Sequence, residues 1–339
     1  MLRIHVSGVD LSRVRMATRP DAMWETILSF HRLRDRRGST VFGKWRTESR
    51  ARLNGEARLL SAVVPLRGYF PDFLTPSREG AEPFGLDVGM EALRDTPTER
   101  LHAELALLAE SRPSVPRARG VSRSAAALLD VLAEGRTEPL GRLITALRSY
   151  HRAAVEPYWP HIQASVEADR AVRGRALLDG GADELLASLP SMIRWRAPVL
   201  EADYPVDREL RLDGRGLLLQ PSFFCRGTPV VYRNPDLPPV LVYPVTHPAA
   251  PVYAAEPGPW LGRLVGHTRS AILQAIGKGC TTSELARRTG VSLASASQHA
   301  CVLREAGLVL TLRHGSSVLH TLTPLGASLL RGGAPLAMS

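Results

Sequence analysis

Residues 281–309, TTSELARRTGVSLASASQHACVLREAGLV, decide the fold of the C-terminal part of the chain. Thr281-Thr282-Ser283-Glu284 has capping-box spacing: a hydroxyl accepts from the backbone N–H three residues on, and an acidic side chain reaches back. A helix is expected to begin there, with Leu285 and Ala286 turned inward and Arg287-Arg288 at its exposed end. Gly290 permits a sharp turn, because glycine tolerates the left-handed backbone conformation. Val291 anchors that turn in a core, and Ser292 is a natural N-cap for a second helix over about 293–305. Ala296, Ala300 and Leu303 share one face of the second helix and are expected to be buried. The other face presents Ala294, Ser295 and Gln298, with Ser297 and His299 at its edge. Short or hydrogen-bonding side chains of this kind can approach base edges in a major groove, and glutamine can pair bidentately with adenine.

The flanks agree with that reading. Residues 260–276 form an amphipathic pattern, with Leu261, Leu264, Val265, Ile272, Ala275 and Ile276 on one side and Arg263 and Arg269 outward. Gly277-Lys278-Gly279 ends it. Downstream, 309–312 and 317–322 alternate as two strands around Arg313-His314-Gly315-Ser316, a hairpin with a basic tip. Arg313 in such a wing can reach phosphate or a minor groove. Residues 324–330 read as a short terminal helix of the kind that makes dimer contacts. Residues 260–330 therefore read as a winged helix-turn-helix domain. Its candidate DNA-contacting residues are Thr282, Arg287, Arg288, Ser292, Ala294, Ser295, Ser297, Gln298, His299, Arg304, Arg313 and His314. Charge is concentrated in the same place. The chain carries +10, and residues 260–339 hold eight Lys/Arg against Glu284 and Glu305, a surplus of six.

The pieces Glu284-Leu285-Ala286, Gly290-Val291-Ser292, Ser297-Gln298-His299 and Leu303-Arg304-Glu305-Ala306-Gly307-Leu308-Val309, with the wing, resemble the ArsR-type winged helix-turn-helix repressors of bacteria. The resemblance covers about 75 residues. It implies a homodimer on double-stranded DNA. Metal-sensing members of that family carry a Cys-x-Cys pair on the helix before the turn. Here those positions fall in Leu285-Ala286-Arg287-Arg288, and Cys280 stands alone ahead of the helix. Metal sensing by that route is not expected. The rest of the chain is similar to the long N-terminal regions of actinobacterial regulators of this type.

Residues 1–245 read as an α+β effector or dimerisation region: mixed over 1–95, mainly helical over 96–196, strand-rich over 197–245. A helix is expected over 22–33, and Pro157 and Pro160 should break a helix containing Leu140, Leu143, Ile144 and Leu147. Asp213-Gly214 is a turn signal, and 217–219, 230–232 and 240–243 read as three short strands. Eight prolines in 235–259 favour a stiff path whose last part, 246–259, reads as a linker, and 331–339 as a disordered tail. The overall class is mixed α+β, with a C-terminal winged helix-turn-helix domain after a larger α+β region.

Composition fits a globular protein, 44% hydrophobic and 22% charged. No apolar run reaches the ~18 residues of a spanning helix, and the N-terminus lacks a secretory apolar stretch. A cytoplasmic protein without membrane contact is expected. Cys225, Cys280 and Cys301 form no metal-binding spacing, and no cofactor motif is present. The aromatics of the N-terminal region read as core in preference to a ligand pocket. Glu156, His151 and His161 lie near Trp159 and would make a polar site only if a pocket gathered them. The function expected is a sequence-specific transcriptional regulator, not an enzyme, controlled through its N-terminal region by an unidentified small molecule. The alternatives are an enzyme or a protein-interaction adaptor that carries a winged helix.

Overall fold

Leu2, Ile4 and Val6 are buried while the residues between them are not, the alternation of a strand with one face in a core. That strand opens the first of two compact units, Met1–Pro248 and Ala249–Ser339. The computed structural model describes residues 1–35, 39–53, 55, 57–66, 68–77, 85–111, 137–246, 259–276, 279–314 and 317–331. The elements of the first unit among these begin with β1 (Leu2–His5), α1 (Gly8–Ser12), β2 (Arg15–Met16), α2 (Ala22–Arg34) and α3 (Ser39–Arg52). They continue with α4 (Ala57–Val63), α5 (Leu86–Arg94), α6 (Thr98–Glu110), α7 (Thr137–Ala154) and α8 (Trp159–Ala187). The strands β3 (Ile193–Arg196), β4 (Val199–Ala202), β5 (Arg208–Arg211), β6 (Leu218–Ser222) and β7 (Val240–Pro244) complete them.

One sheet has the order β3-β4-β1-β5, with β1 antiparallel to β4 and parallel to β5. The other has the order β2-β6-β7, all parallel. The chain's first residues are thus paired with residues some two hundred positions later, which no local pattern signals. Two cores follow. Leu2, Ile4, Leu185, Leu200, Leu219 and Tyr243 belong to the one beneath the sheets. Phe30, Trp45, Leu147, Tyr150, Phe223 and Phe224 belong to a larger, mainly helical one. Asp169 on α8 joins α8 to β7: the Tyr243 hydroxyl donates to its Oδ2 at 2.6 Å, and Arg173 pairs with its Oδ1 at 3.3 Å.

Several expectations for this unit hold. α2 spans the expected helix, capped by Asp21 accepting from Met23 and Trp24 N–H. A 3-10 turn at Glu156–Tyr158 separates α7 from α8, where Pro157 and Pro160 interrupt the pattern. Asp213 and Gly214 both take positive φ, as a tight turn requires. Residues 230–232 do not form the expected strand; only Val230 bridges to Val242. β3, β4 and β5, each four residues long, were not singled out as strands, although β4 and β5 fall in the stretch expected to be strand-rich. The proposed linker lies outside the described residues except at its two ends, and the proposed tail from 332 onward lies outside them.

The second unit contains α9 (Pro259–Val265), α10 (His267–Ile276), β8 (Cys280–Thr281), α11 (Thr282–Thr289) and α12 (Leu293–Glu305). A hairpin of β9 (Val309–His314) and β10 (Ser317–Leu322) and then α13 (Pro324–Arg331) follow. The single helix expected over 260–276 is two. Gly266, at φ +90°, breaks it between α9 and α10. The break removes Leu264 from the inner face, where the pattern had put it, and leaves it 66% exposed. β8 pairs with β10, giving a three-stranded sheet β8-β10-β9 where two strands were expected.

Candidate nucleic-acid interface

α11 and α12 meet through a turn that the sequence specifies locally. Thr281 caps α11, its Oγ1 accepting from Glu284 N–H at 3.3 Å. The reciprocal half of the capping box is replaced: Glu284 pairs with Arg287 at 3.9 Å and, more closely, with Arg288. Gly290 ends α11 at φ +70°, and the N–H groups of Gly290 and Val291 both donate to the Ala286 carbonyl. Ser292 then caps α12, accepting from Ser295 N–H at 3.2 Å. Ala296, Ala300 and Leu303 are buried, as their spacing requires, against a core that includes Ile272, Leu285 and Val309. Alanines at two of the three contacts let α12 lie close to its neighbours.

The outward side of α12 exposes Ser292, Leu293, Ala294, Ser297, Gln298 and Arg304. Ser297 and Gln298 make no side-chain hydrogen bond among the described residues, so their polar groups are open to a partner. Ser295 and His299 are half-buried, and His299 Nδ1 is buried without a partner among the described residues. Arg304 is exposed and donates to Cys301 Sγ at 3.1 Å. Leu293, 56% exposed at the start of α12, was missed by the sequence reading, which assigned the face only to small and polar residues.

Two candidates are committed elsewhere. Arg288 pairs with Glu284 and donates to the Ala275 carbonyl at 2.9 Å, closing the end of α10. Arg287 is the more exposed of the two and holds Glu284 only loosely. The Thr282 hydroxyl bonds His320 Nε2 at 3.0 Å, while His320 Nδ1 bonds the Thr311 hydroxyl at 3.0 Å. His320 is buried at 4% exposure and stands opposite Thr311 in the β9–β10 register. It fastens the first residue of α11 to both strands of the hairpin. Burial, with the Arg304 charge adding to it, holds its pKa below the ordinary histidine value. That shift favours the neutral ring, in which one nitrogen donates and the other accepts. The backbone of Arg313 and His314 belongs to β9, whereas their side chains lie outside the described residues.

The residues that would have made an enzymatic site have separate partners. His151 is buried and bonds Thr26 Oγ1 at 2.8 Å, and burial lowers its pKa to about 4. His161 packs its ring edgewise on Phe223 at 5.2 Å. Glu156 is exposed. Among the described residues no group of His, Cys, Asp and Glu could hold a metal ion, and no helix is long and apolar enough to cross a membrane.

A family model described as a helix-turn-helix domain matches residues 267–311. That span runs from the start of α10 through α11, the Gly290 turn and α12 into β9. No curated protein matches the chain, and no solved structure matches it. The C-terminal unit thus carries a helix-turn-helix domain followed by a β-hairpin wing, which gives the chain a DNA-binding, regulatory module.

Proposed function

We propose that the chain is a sequence-specific transcriptional regulator that reads double-stranded DNA in the manner of ArsR-type repressors, without the cysteine metal site of that family. The observation that carries this reading is the outward face of α12. Ala294, Ser297 and Gln298 lie exposed on it, between the capped helix start at Ser292 and the cation at Arg304. Gln298 would hydrogen-bond a base edge, and Leu293 and Ala294 offer apolar contact to a thymine methyl group. The uncapped N–H groups of the first turn favour a phosphate. Arg287, Arg304 and Arg313 would attract phosphates with little regard to sequence. His320 sets the wing relative to α11, so a basic wing tip would meet the backbone beside the groove that α12 enters. Thr282 and Arg288 act on this reading as supports of the interface, and Ser295 and His299 flank it.

A homodimer would place two copies of α12 in successive major grooves of a near-palindromic site. Residues 1–245 would control it by favouring one DNA-binding geometry over another. The chain itself would do no chemistry. Selection of bound duplexes from a random pool, with affinity followed against salt, tests the reading. An enriched palindrome is expected, with log affinity falling steeply as log salt rises. Salt-dependent binding with no enriched motif would leave a nonspecific binder, and no binding at all would move the weight to an adaptor role.

A further inference from the structure

A cavity of about 970 Å3 opens in the first unit, between α2, Leu66 and the segments around 68–72, 204–208 and 225–233. Small-molecule sites run to ~300–1,000 Å3, so this one is large enough for an organic ligand. One wall is apolar and aromatic. Trp24, Leu28, Phe70 and Val230 line it, and the Trp24 and Phe70 rings meet edge to face at 6.1 Å.

Among the described residues, five arginines and two aspartates also line the cavity. Two of the arginines are tied to backbone. Arg34 donates to the Val64 carbonyl at 2.6 Å and lies over the Phe30 ring, and Arg208 donates to the carbonyls of Tyr232 and Arg233. Arg226 and Arg233 are exposed and make no ion pair or side-chain hydrogen bond among the described residues. Arg32, its side chain 17% exposed, reaches Asp35 only at 3.4 Å. That aspartate also faces Arg46, and the Arg226 charge acts on both Arg32 and Arg46. Burial depresses the pKa of Arg32, and the neighbouring Arg226 charge adds to this against Asp35. Cys225, beside them, supplies no compensating charge, because burial raises its thiol to about 12. Asp72 accepts from Asn234 N–H at 2.8 Å. Arg226 is also well placed. Glu25 on α2 accepts from Phe223 and Phe224 N–H at 2.8 and 3.0 Å and fixes the loop that carries it.

An apolar slot with a surplus of cations at one end suits one ligand class. We propose that this cavity binds a small aromatic carboxylate, its carboxylate held by Arg32 and Arg226 and its ring body against Trp24 and Phe70. A guanidinium fork matches the two oxygens of a carboxylate, which selects that head over a neutral one. The site would be the input for the control proposed above. It rests on that reading for its regulatory meaning alone, since binding is measured without DNA.

The test uses the full chain and four probes: 1-naphthoate, neutral 1-naphthalenemethanol, 1-naphthyl phosphate and octanoate. Binding is followed by calorimetry and by tryptophan fluorescence, to which Trp24 contributes. Naphthoate is expected to saturate one site, with the alcohol weaker by about tenfold or more. Arg226→Gln, at an exposed position, is expected to weaken naphthoate by about tenfold with no change in melting temperature. Absence of saturable naphthoate binding, equal binding of the alcohol, or indifference to Arg226→Gln would overturn the proposal. Tighter binding of naphthyl phosphate would reassign the head to a phosphate monoester, and equal binding of octanoate would remove the aromatic body. Naphthoate binding by a chain that binds no DNA would keep the pocket and sink the regulator.

Discussion

α2 and α12 are both 13 residues long, and their surroundings are opposite. α2 is buried almost all round, leaving only Arg32 and Arg34 outside the core. α12 buries only Ala296, Ala300 and Leu303. The polar groups of α2 are met from within: Glu25 by two backbone N–H groups, Thr26 by His151, Ser29 by the Tyr150 hydroxyl at 2.9 Å. Those of α12 that face outward, Ser297 and Gln298, have no such partners among the described residues. A buried polar group without a partner is costly, so α2 is closed except at Arg32, whose Nε is buried with no hydrogen bond among the described residues. An exposed one costs little, so α12 is free to satisfy its groups on a ligand. One helix organises a core, and the other offers a surface.

The largest expected effect tests the first half of that contrast. Phe224 stands in the loop held by Glu25 and packs on Trp45 at 4.7 Å and Phe42 at 5.6 Å between ring centres. Phe224→Ala should destabilise the first unit by about 3–5 kcal/mol in denaturant unfolding. A loss under about 1 kcal/mol would mean that the aromatic cluster is loosely packed and that α2 is less enclosed than its burial indicates.

The next effect is one of pH. Burial raises the Glu25 carboxyl to about 7, against the pull of the Phe223 and Phe224 N–H groups. The folded state therefore favours the neutral acid. Its contribution to stability is full below the unfolded value near 4.5 and is lost as pH rises through about 7. Asp72, raised to about 6 by burial, acts in the same sense, whereas His31 and His151, lowered to about 4, contribute above 6.5 and lose that as pH falls. Comparing Glu25→Gln with the parent isolates one group. The stability advantage of the parent should shrink by roughly 3 kcal/mol or less between pH 4.5 and 7, on top of a pH-independent cost of the altered hydrogen bonds. A flat difference would show that the carboxylate is charged in the fold across that range.

The two helices also differ in how far they were legible in sequence. The recognition unit is built from contacts between near neighbours. Ser292 caps its own helix, Gly290 turns the chain where φ must be positive, and the Ala296–Ala300–Leu303 spacing defines the buried stripe. Each signal lies within about a dozen residues, so α11, α12 and the hairpin could be placed from the letters alone. α2 was legible as a helix for the same reason, but its all-round burial was not, because it follows from partners at positions 150, 151, 223 and 224. The break at Gly266 was hidden because the apolar spacing runs on through it. His320 was hidden because its two threonine partners meet it only once the hairpin closes.

On the surface side, Gln298→Ala should weaken binding to the selected site by about 1–3 kcal/mol and leave nonspecific affinity nearly unchanged. Competition binding with cognate and scrambled duplexes reads both numbers. An equal loss on both duplexes would place Gln298 against phosphate, and no loss on either would remove α12 from the groove.

The smallest effect is the most informative about where α12 divides its inner and outer roles. The Ser292 oxygen already accepts from Ser295 N–H, which makes the residue a cap, yet its O–H hydrogen remains available to a phosphate at the helix start. Ser292→Ala removes both functions and should cost about 1 kcal/mol of stability in the second unit. Ser292→Asp keeps a capping acceptor, adds a charge that suits a helix N-terminus, and repels phosphate. If Ser292 only caps and no phosphate lies at the start of α12, the aspartate variant should match the parent in both stability and DNA affinity. If it also meets the backbone of DNA, the aspartate variant should keep its melting temperature and lose affinity on cognate and scrambled duplexes alike, with a shallower salt slope.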